Sequence, residues 1–259
     1  MKIDFDGEKY KRASAQQKAW GKGLICELEL SGNERILDLG CGDGALTAEL
    51  AKRVPDGFVL GIDASENMIA TATKDHAGMN LRFEQLDINA MKFEREFDRV
   101  FSNATLHWIK DHRALLRNVS KSLKDRGTAR FQFAADGNCS NLIRIVREVI
   151  SEDPYVDAFR AFDWPWYMPT IREYRALMDE APFTEKKVWC TNADKYFESS
   201  EALTRWIDQP SLVPFLGWIA EPERRRFRDT VVERMIEQTQ QDDGTYFETF
   251  RRMNVWARK

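Results

Sequence analysis

Hydrophobic and polar positions follow a regular order along the first half of the chain. Short apolar runs, each of a length that suits one strand, occur at residues 36–39, 58–62, 81–88, 97–102 and 127–133. Residues at helical spacing fill the intervals, as Leu46 and Leu50 do, and Ser65 precedes a predicted helix over 66–73 as its N-cap. Apolar runs that alternate with helices are typical of a parallel sheet, so this order predicts a doubly wound α/β fold.

The pattern changes after residue 137. Residues 138–180 and 199–241 are mainly at helical spacing, and strands are predicted over 186–191 and 249–257. We therefore expect an N-terminal flap and helix over 1–30, a sheet core over 31–137, a helical cap over 138–180, and the last two strands over 181–259 with 199–241 inserted between them. The two helical blocks are expected to cover the carboxyl-terminal edge of the sheet.

Three glycines end the first apolar run. Gly40, Gly42 and Gly44 stand at alternate positions between a predicted strand and a predicted helix. Glycines let the backbone approach a ligand closely, and a helix N-terminus presents free N–H groups. Asp63 ends the next apolar run about 20 residues later, where an acid can accept the hydroxyls of a ribose. The pattern predicts a nucleotide-type ligand at this turn, and a tight turn without a ligand is the alternative.

Acidic residues lie at or near the ends of three predicted strands, namely Asp38, Asp63 and Asp87. Ligands of open α/β sheets bind beyond that edge. Asp87 is placed to accept the amino group of an adenine while Ile88 packs on the ring, although a solvated loop aspartate is the simpler alternative. The pattern Gly40-x-Gly42-x-Gly44 is one residue shorter than the G-x-G-x-x-G fingerprint of NAD enzymes, because its third glycine comes one position earlier. A nicotinamide oxidoreductase is therefore a weaker alternative.

Composition excludes several other classes. The 259 residues are 43% hydrophobic and 31% charged, which suits one α/β domain with insertions or a cap. A net charge of −3 argues against a nucleic-acid partner. The four scattered cysteines predict neither a metal site nor disulfides, as in a reducing cytoplasm. With neither a signal-peptide pattern nor a membrane-length apolar run, a cytoplasmic protein without a membrane partner is expected.

Several motifs together resemble the class I S-adenosylmethionine-dependent methyltransferases. They are Leu37–Gly44, Gly61–Ser65, Leu86–Ile88, and Phe97–Val100 leading to Leu106-His107-Trp108. The resemblance implies a Rossmann-like, mostly parallel sheet of seven strands, with S-adenosylmethionine as cofactor and S-adenosylhomocysteine as its product. The residues that it implies for the cofactor are Asp38, Gly40, Cys41, Gly42, Gly44, Asp63, Ala64, Met68, Asp87, Ile88 and Asn103.

Within that class, the Leu-His-Trp segment and the aromatic helical cap resemble the trans-aconitate and juvenile hormone acid methyltransferases. Both groups methylate carboxylates of small molecules, so the resemblance implies an organic acid as acceptor. By analogy with the second group, Gln16, less certainly Gln17, and Trp108 would hold the acceptor carboxylate. A monomer or weak homodimer is expected.

A carboxylate acceptor needs no base, because a carboxylic acid is already ionised at neutral pH. In that case His107 steers the acceptor or supports the structure. If the acceptor is instead a hydroxyl, an amine or a carbon atom, His107 is the first candidate base. A histidine of the core is the plainest alternative for His107. A non-catalytic S-adenosylmethionine-binding protein would have the same cofactor motifs.

Overall fold

The computed structural model describes residues 15–76 and 78–259, with only the backbone at 15, 16, 209 and 210. Its α-helices are α1 (Ala15–Cys26), α2 (Ala45–Arg53), α3 (Glu66–His76), α4 (His112–Ser122), α5 (Ser140–Ile150), α6 (Ile171–Glu180), α7 (Ser200–Trp206), α8 (Val213–Leu216) and α9 (Glu221–Thr239). Its strands are β1 (Arg35–Leu39), β2 (Phe58–Asp63), β3 (Leu81–Gln85), β4 (Phe97–Asn103), β5 (Leu123–Ala134), β6 (Glu185–Asn192), β7 (Lys195–Phe197), β8 (Tyr246–Glu248) and β9 (Arg251–Arg258). Short 3₁₀ turns cover Ile88–Ala90 and Leu106–Trp108, and a π-helical turn covers Ile207–Ser211.

Seven strands form one sheet in the order β3-β2-β1-β4-β5-β9-β6. Strands β1 to β5 pair in parallel, whereas β9 runs antiparallel to β5. The predicted Rossmann-like methyltransferase sheet of seven mostly parallel strands is therefore confirmed. Because β1, β2, β4 and β5 are parallel, their carboxyl ends meet at one edge. Strands β2 and β3 lie on one side of β1 and strands β4 and β5 on the other, so the strand order reverses between β1 and β4.

The apolar runs of the sequence supply the interior of this sheet. In β1 the side chains of Ile36, Leu37 and Leu39 are fully buried. Burial on both faces explains why the strand is a continuous apolar run rather than an alternating one. The sheet's main core joins β1, β2, β4, β5 and β9 to residues of α4 and α6. A smaller cluster on the other face joins Leu24 and Ile25 of α1 to Leu50 of α2.

The chain divides into two compact units. The larger comprises the described chain up to Asp136 together with Trp166–Thr191 and Arg252–Lys259, and so contains the seven-stranded sheet. The predicted helical block over 138–180 is divided between the units: α5 belongs to the smaller one and α6 to the larger. The reason is that Tyr174 and Met178 of α6 are buried in the sheet's core.

The smaller unit comprises Gly137–Pro165 and Asn192–Arg251. It is mainly helical, and aromatic residues fill it: Phe159 stacks on Phe227, and the Phe162 ring contacts Phe215 and Trp218. The two short strands β7 and β8 form a separate antiparallel sheet in this unit. The sequence analysis missed both strands, because three residues are too few to show an apolar period.

Candidate cofactor and acceptor site

The glycine turn follows directly from β1 and is held against β2. The backbone N–H groups of Gly40 and Cys41 both donate to the carbonyl oxygen of Ile62, at 2.8 and 3.0 Å. Gly40, Gly42 and Gly44 all have positive φ, at 73°, 54° and 78°. A side chain at Gly40 has no room, since an added Cβ would lie 2.0 Å from Cγ2 of Thr105. The turn thereby packs against the segment that follows β4.

Asp38 is a buried acid beneath this turn. Its side chain is only 2% exposed, and its Oδ2 accepts a hydrogen bond of 2.8 Å from the Thr47 hydroxyl. Burial raises the pKa of Asp38 from 3.8 to about 7, the nearby charge of Asp63 adds to this, and the Thr47 hydroxyl opposes it. The Asp38 carboxyl group is therefore partly protonated near neutral pH.

This shift predicts a pH-dependent stability. Between a pH of about 4 and about 7 the folded protein binds a proton at Asp38 that the unfolded chain has lost, so the contribution of this group falls as the pH rises and levels off above 7. We therefore compare the free energy of unfolding of Asp38→Asn with that of wild type, both without cofactor. The difference, variant minus wild type, should increase by about 2–4 kcal/mol as the pH rises from 4 to 8. Urea denaturation of both proteins across that range measures this difference. A difference that does not change with pH would contradict the assignment.

Asp63 ends β2 next to the turn. One carboxylate oxygen, Oδ2, accepts a hydrogen bond of 3.0 Å from the Gly42 N–H, and Oδ1 accepts one of 2.9 Å from the Ser65 N–H. Helix α3 begins at the next residue, and the Ser65 hydroxyl accepts from the Met68 N–H at 3.2 Å, which confirms the predicted N-cap. The carboxylate of Asp63 is thus oriented by two backbone donors at the sheet edge.

The third acid lies in a different setting. Strand β3 ends at Gln85, earlier than predicted, because Asp87 caps the following 3₁₀ turn by accepting from the Asn89 N–H at 2.8 Å. The Asp87 side chain is exposed, whereas Ile88 is 5% exposed and belongs to the sheet's core.

Three further residues were predicted to contact the cofactor. Ala64 is exposed, and Met68 is 3% exposed. Gly44 packs beneath the turn, since an added Cβ would lie 2.7 Å from Phe83.

A cleft of about 420 Å³, its open mouth included, lies between the glycine turn, α1 and the segment after β4. Among the residues that line it are Gln17, Asp38, Gly40, Cys41, Gly42 and Asn103. Asn103 donates through Nδ2 to the Gln17 carbonyl oxygen at 2.9 Å. Two side-chain acceptors of the cleft wall, Oε1 of Gln17 and Oδ1 of Asn103, are buried without a hydrogen-bond donor among the described residues.

Buried acceptors of this kind fit a ligand that brings its own N–H donors, because an unpaired buried polar group is costly. Two acids, Asp38 and Asp43, also line the cleft. Asp43 pairs with the Lys18 ammonium at 2.5 Å, and Asp63 touches the turn through Gly42. The acceptors on this side of the cleft therefore suit a ligand that brings hydroxyl or ammonium donors.

His107 and Trp108 lie in the 3₁₀ turn that follows β4. Nδ1 of His107 is buried and has no hydrogen-bond partner among the described residues. Burial, with a smaller effect of the Arg252 and His112 charges, lowers the pKa of His107 from 6.5 to about 3, so the imidazole is neutral at physiological pH. The Trp108 ring meets the Trp166 ring edge to face, with centroids 5.7 Å apart. The predicted partner Gln16 lies in α1, but its side chain is outside the described residues.

A second histidine, which the sequence analysis did not single out, holds this turn in place. His112 is 2% exposed, and its Nε2 lies 2.9 Å from the Leu106 carbonyl oxygen. A carbonyl oxygen only accepts, so Nε2 carries the proton and Nδ1 accepts from the Tyr174 hydroxyl at 3.0 Å. A second bond to the turn comes from the Tyr167 N–H, which donates to the His107 carbonyl oxygen at 2.8 Å.

The Tyr174 hydroxyl should therefore contribute to stability. Tyr174→Phe leaves His112 Nδ1 as a buried acceptor without a donor, and we expect a loss of about 1–2 kcal/mol in the free energy of unfolding. Tyr196→Phe is the matched control, because Tyr196 is 57% exposed, and it should change stability by less than about 0.5 kcal/mol. Chemical denaturation compares the two variants. Equal stability of Tyr174→Phe and wild type would mean that the hydroxyl is not engaged.

Two classes of feature are absent from the part of the chain that the structure describes. Residues 15–76 and 78–259 contain no group of three or more histidine, cysteine, aspartate or glutamate side chains placed to hold a metal ion. In the same residues no helix combines the length and the apolar character needed to cross a membrane.

Comparison with known proteins identifies the kind of domain. Residues 36–127, from β1 to the middle of β5, match the family model described as a methyltransferase domain. The chain is 29% identical to the trans-aconitate 2-methyltransferase of Escherichia coli (strain 55989), over 99% of this chain and 98% of that protein.

Solved structures agree on the fold. The YcgJ protein of Bacillus subtilis superposes with a TM-score of 0.65 at 16% identity, covering 93% of this chain and 98% of that one. Phosphoethanolamine N-methyltransferase 2 of Haemonchus contortus gives 0.60 at 19% identity, over 93% of this chain and 52% of that one. The family model, the strand order and the full-length likeness agree: residues 36–127 form a methyltransferase domain, and the chain is an S-adenosylmethionine-dependent methyltransferase that resembles the trans-aconitate methyltransferases over its whole length.

Proposed function

We propose that the cleft at the glycine turn holds S-adenosylmethionine and that the acceptor is a carboxylate of a small organic acid. In this proposal Asp63 receives the ribose hydroxyls, and the turn from Gly40 to Gly44 with Asp38 holds the amino-acid portion. The buried acceptors of Gln17 and Asn103 support this placement, because they suit the ammonium group. Asp87 and Ile88, with Ala64 and Met68 nearby, border the adenine.

When bound, S-adenosylmethionine supplies a methyl carbon on a positively charged sulfur: an acceptor's lone pair forms the new bond while the carbon–sulfur bond breaks and its electron pair stays on sulfur. The protein's residues must align the acceptor and exclude water. Trp108 and Gln16 would orient the acceptor carboxylate by donating hydrogen bonds from the indole and amide N–H groups. The carboxylate needs no proton transfer, because it is already ionised at neutral pH.

The observation that carries the choice of acceptor is the burial of His107, whose Nδ1 has no hydrogen-bond partner among the described residues. Burial lowers the pKa of His107 to about 3, which makes the imidazole a poor base for a hydroxyl or ammonium group with a pKa of about 10 or above. An acid that is ionised before it enters the cleft avoids this difficulty. The full-length likeness to enzymes named for trans-aconitate supports the same choice.

The test is methyl transfer from labelled S-adenosylmethionine to a panel of small acids. The panel contains trans-aconitate, a medium-chain fatty acid and an isoprenoid acid, each beside its neutral amide as a matched control, together with a phenol and a primary amine. We expect a base-labile methyl ester from at least one acid and no product from its amide. The best acid would also report whether the acceptor site selects charge or apolar length. A base-stable product from a hydroxyl or amine compound alone would contradict the proposal and make His107 the candidate base.

A further inference from the structure

A buried arginine lies at the carboxyl end of β5, outside the motifs that identified the site. Strand β9 runs antiparallel to β5, and Arg252 pairs with Ala134, the last residue of β5. Its side chain is only 4% exposed. The guanidinium carbon lies 4.7 Å from the centre of the Trp20 ring on α1, one turn beyond Gln16 and Gln17. The charge is therefore held between the sheet edge and the helix that lines the cleft.

The register of the sheet puts this arginine beside the segment after β4 that carries His107 and Trp108. Asn103 of β4 pairs with Gln132 of β5, which pairs with Asn254 of β9. Side chains two residues apart share a face of a sheet, so Arg252 lies on the same face as Asn254, one row nearer the edge. That row lies next to the segment after β4 that carries His107. The guanidinium charge also acts on His107, where it adds to the effect of burial in lowering the pKa.

We propose that Arg252 is the anion-recognition residue of this enzyme and binds a carboxylate of the acceptor. The inference rests on the proposed function and assigns it a specificity residue. The charges at the two places differ: Asp38, Asp63 and Asp43, the last paired with Lys18, surround the turn where the cationic cofactor would bind, whereas the Arg252 guanidinium lies toward the segment after β4. A guanidinium matches a carboxylate with two parallel N–H donors, and burial strengthens such bonds.

Another buried arginine supplies a matched control. Arg130 of β5 is also 4% exposed; its guanidinium pairs with Glu27 at 2.8 Å and donates to the Asn254 side chain at 3.0 Å. Arg130 pairs with Trp256 of β9, four residues from Arg252, and so lies toward the other end of the strands. Its loss should affect folding without affecting acceptor recognition.

The experiment compares Arg252→Gln, Arg252→Lys and Arg130→Gln with wild type. Calorimetry measures the binding of trans-aconitate, or of the best acid of the panel, to protein saturated with S-adenosylhomocysteine, and the Kd of S-adenosylmethionine alone. Steady-state kinetics give KM and kcat for the acid. We expect Arg252→Gln to weaken acid binding and raise KM about 10- to 100-fold, while the cofactor Kd changes less than about 3-fold. Arg252→Lys keeps the positive charge but lacks the two parallel N–H donors, so its KM for the acid should lie between those of wild type and Arg252→Gln.

Arg130→Gln should lower the thermal midpoint and leave KM for the acid within about 2-fold of wild type. The assignment would be overturned if Arg252→Gln bound the acid as tightly as wild type, or if Arg130→Gln lost as much affinity for the acid as Arg252→Gln. In either case the proposed function would stand as long as the wild type forms a methyl ester. If Arg252→Gln does not fold, Arg252→Lys decides: an unchanged KM would overturn the assignment. A wild-type protein that methylates no acid at all would instead overturn the proposed function, and this inference with it.

Discussion

Replacing Asp63 with asparagine is expected to weaken S-adenosylmethionine binding by about 30- to 300-fold. The carboxylate of Asp63 accepts from the Gly42 and Ser65 N–H groups, which orient it at the sheet edge. In our proposal the same carboxylate also receives two ribose hydroxyls. Asparagine has one acceptor oxygen, so its NH₂ group must face either a backbone donor or a hydroxyl. Isothermal titration calorimetry with S-adenosylmethionine measures the change in Kd.

Glu66→Gln is the control for the loss of a negative charge in the same neighbourhood. Glu66 is exposed in the first turn of α3, three residues after Asp63. Its replacement should change the Kd by less than about 3-fold, since exposed charges are screened. A Kd for Asp63→Asn equal to that of Glu66→Gln would contradict the ribose assignment.

Gly40→Ala is expected to lower the free energy of unfolding by at least about 3 kcal/mol and to abolish cofactor binding. Its φ of 73° is unfavourable for alanine, and the added Cβ would lie 2.0 Å from Cγ2 and 2.4 Å from Oγ1 of Thr105. Gly40 and Thr105 cannot easily move apart, because the Thr105 hydroxyl donates to the Gly40 carbonyl oxygen at 3.0 Å. Urea denaturation gives the stability, and calorimetry gives the affinity.

Gly244→Ala separates the two causes. Gly244 has a φ of 84°, but no atom lies within 4 Å of an added Cβ, so this substitution costs backbone strain alone, about 1–2 kcal/mol. The difference between the two variants measures the overlap with Thr105. Equal losses would mean that the glycine turn and the segment after β4 are not in tight contact.

Much of the sheet could be predicted from the sequence because its strands are buried on both faces. Such strands are short continuous apolar runs, and the five parallel ones appeared in order between amphipathic stretches. The glycines at alternate positions and the acid at the end of β2 predict a cofactor site at this edge, and the structure brings these residues together there. The positions of the last two strands were also predicted, but their place in the sheet came from the family resemblance.

The features that the sequence analysis missed depend on contacts between distant residues. His112 looked like any polar residue at the start of a helix, yet Tyr167, Tyr174 and Phe133 enclose its ring. Arg252 stands in a strand that begins with two arginines, where charge usually indicates exposure, yet its side chain is only 4% exposed at the end of β5. The early end of β3 reflects a local cap by Asp87, which competes with the strand for the backbone N–H groups.

The most direct test of the account is a competition for one carbon-13-labelled methyl group. S-adenosylmethionine labelled at the methyl carbon is incubated with the protein and an equimolar mixture of the best acid of the panel, its amide, a phenol and a primary amine. Carbon-13 NMR then identifies the atom that received the label. We expect a methyl ester of the acid and no label in the other three compounds. Label in the phenol or the amine, with none in the acid, would contradict a carboxylate acceptor.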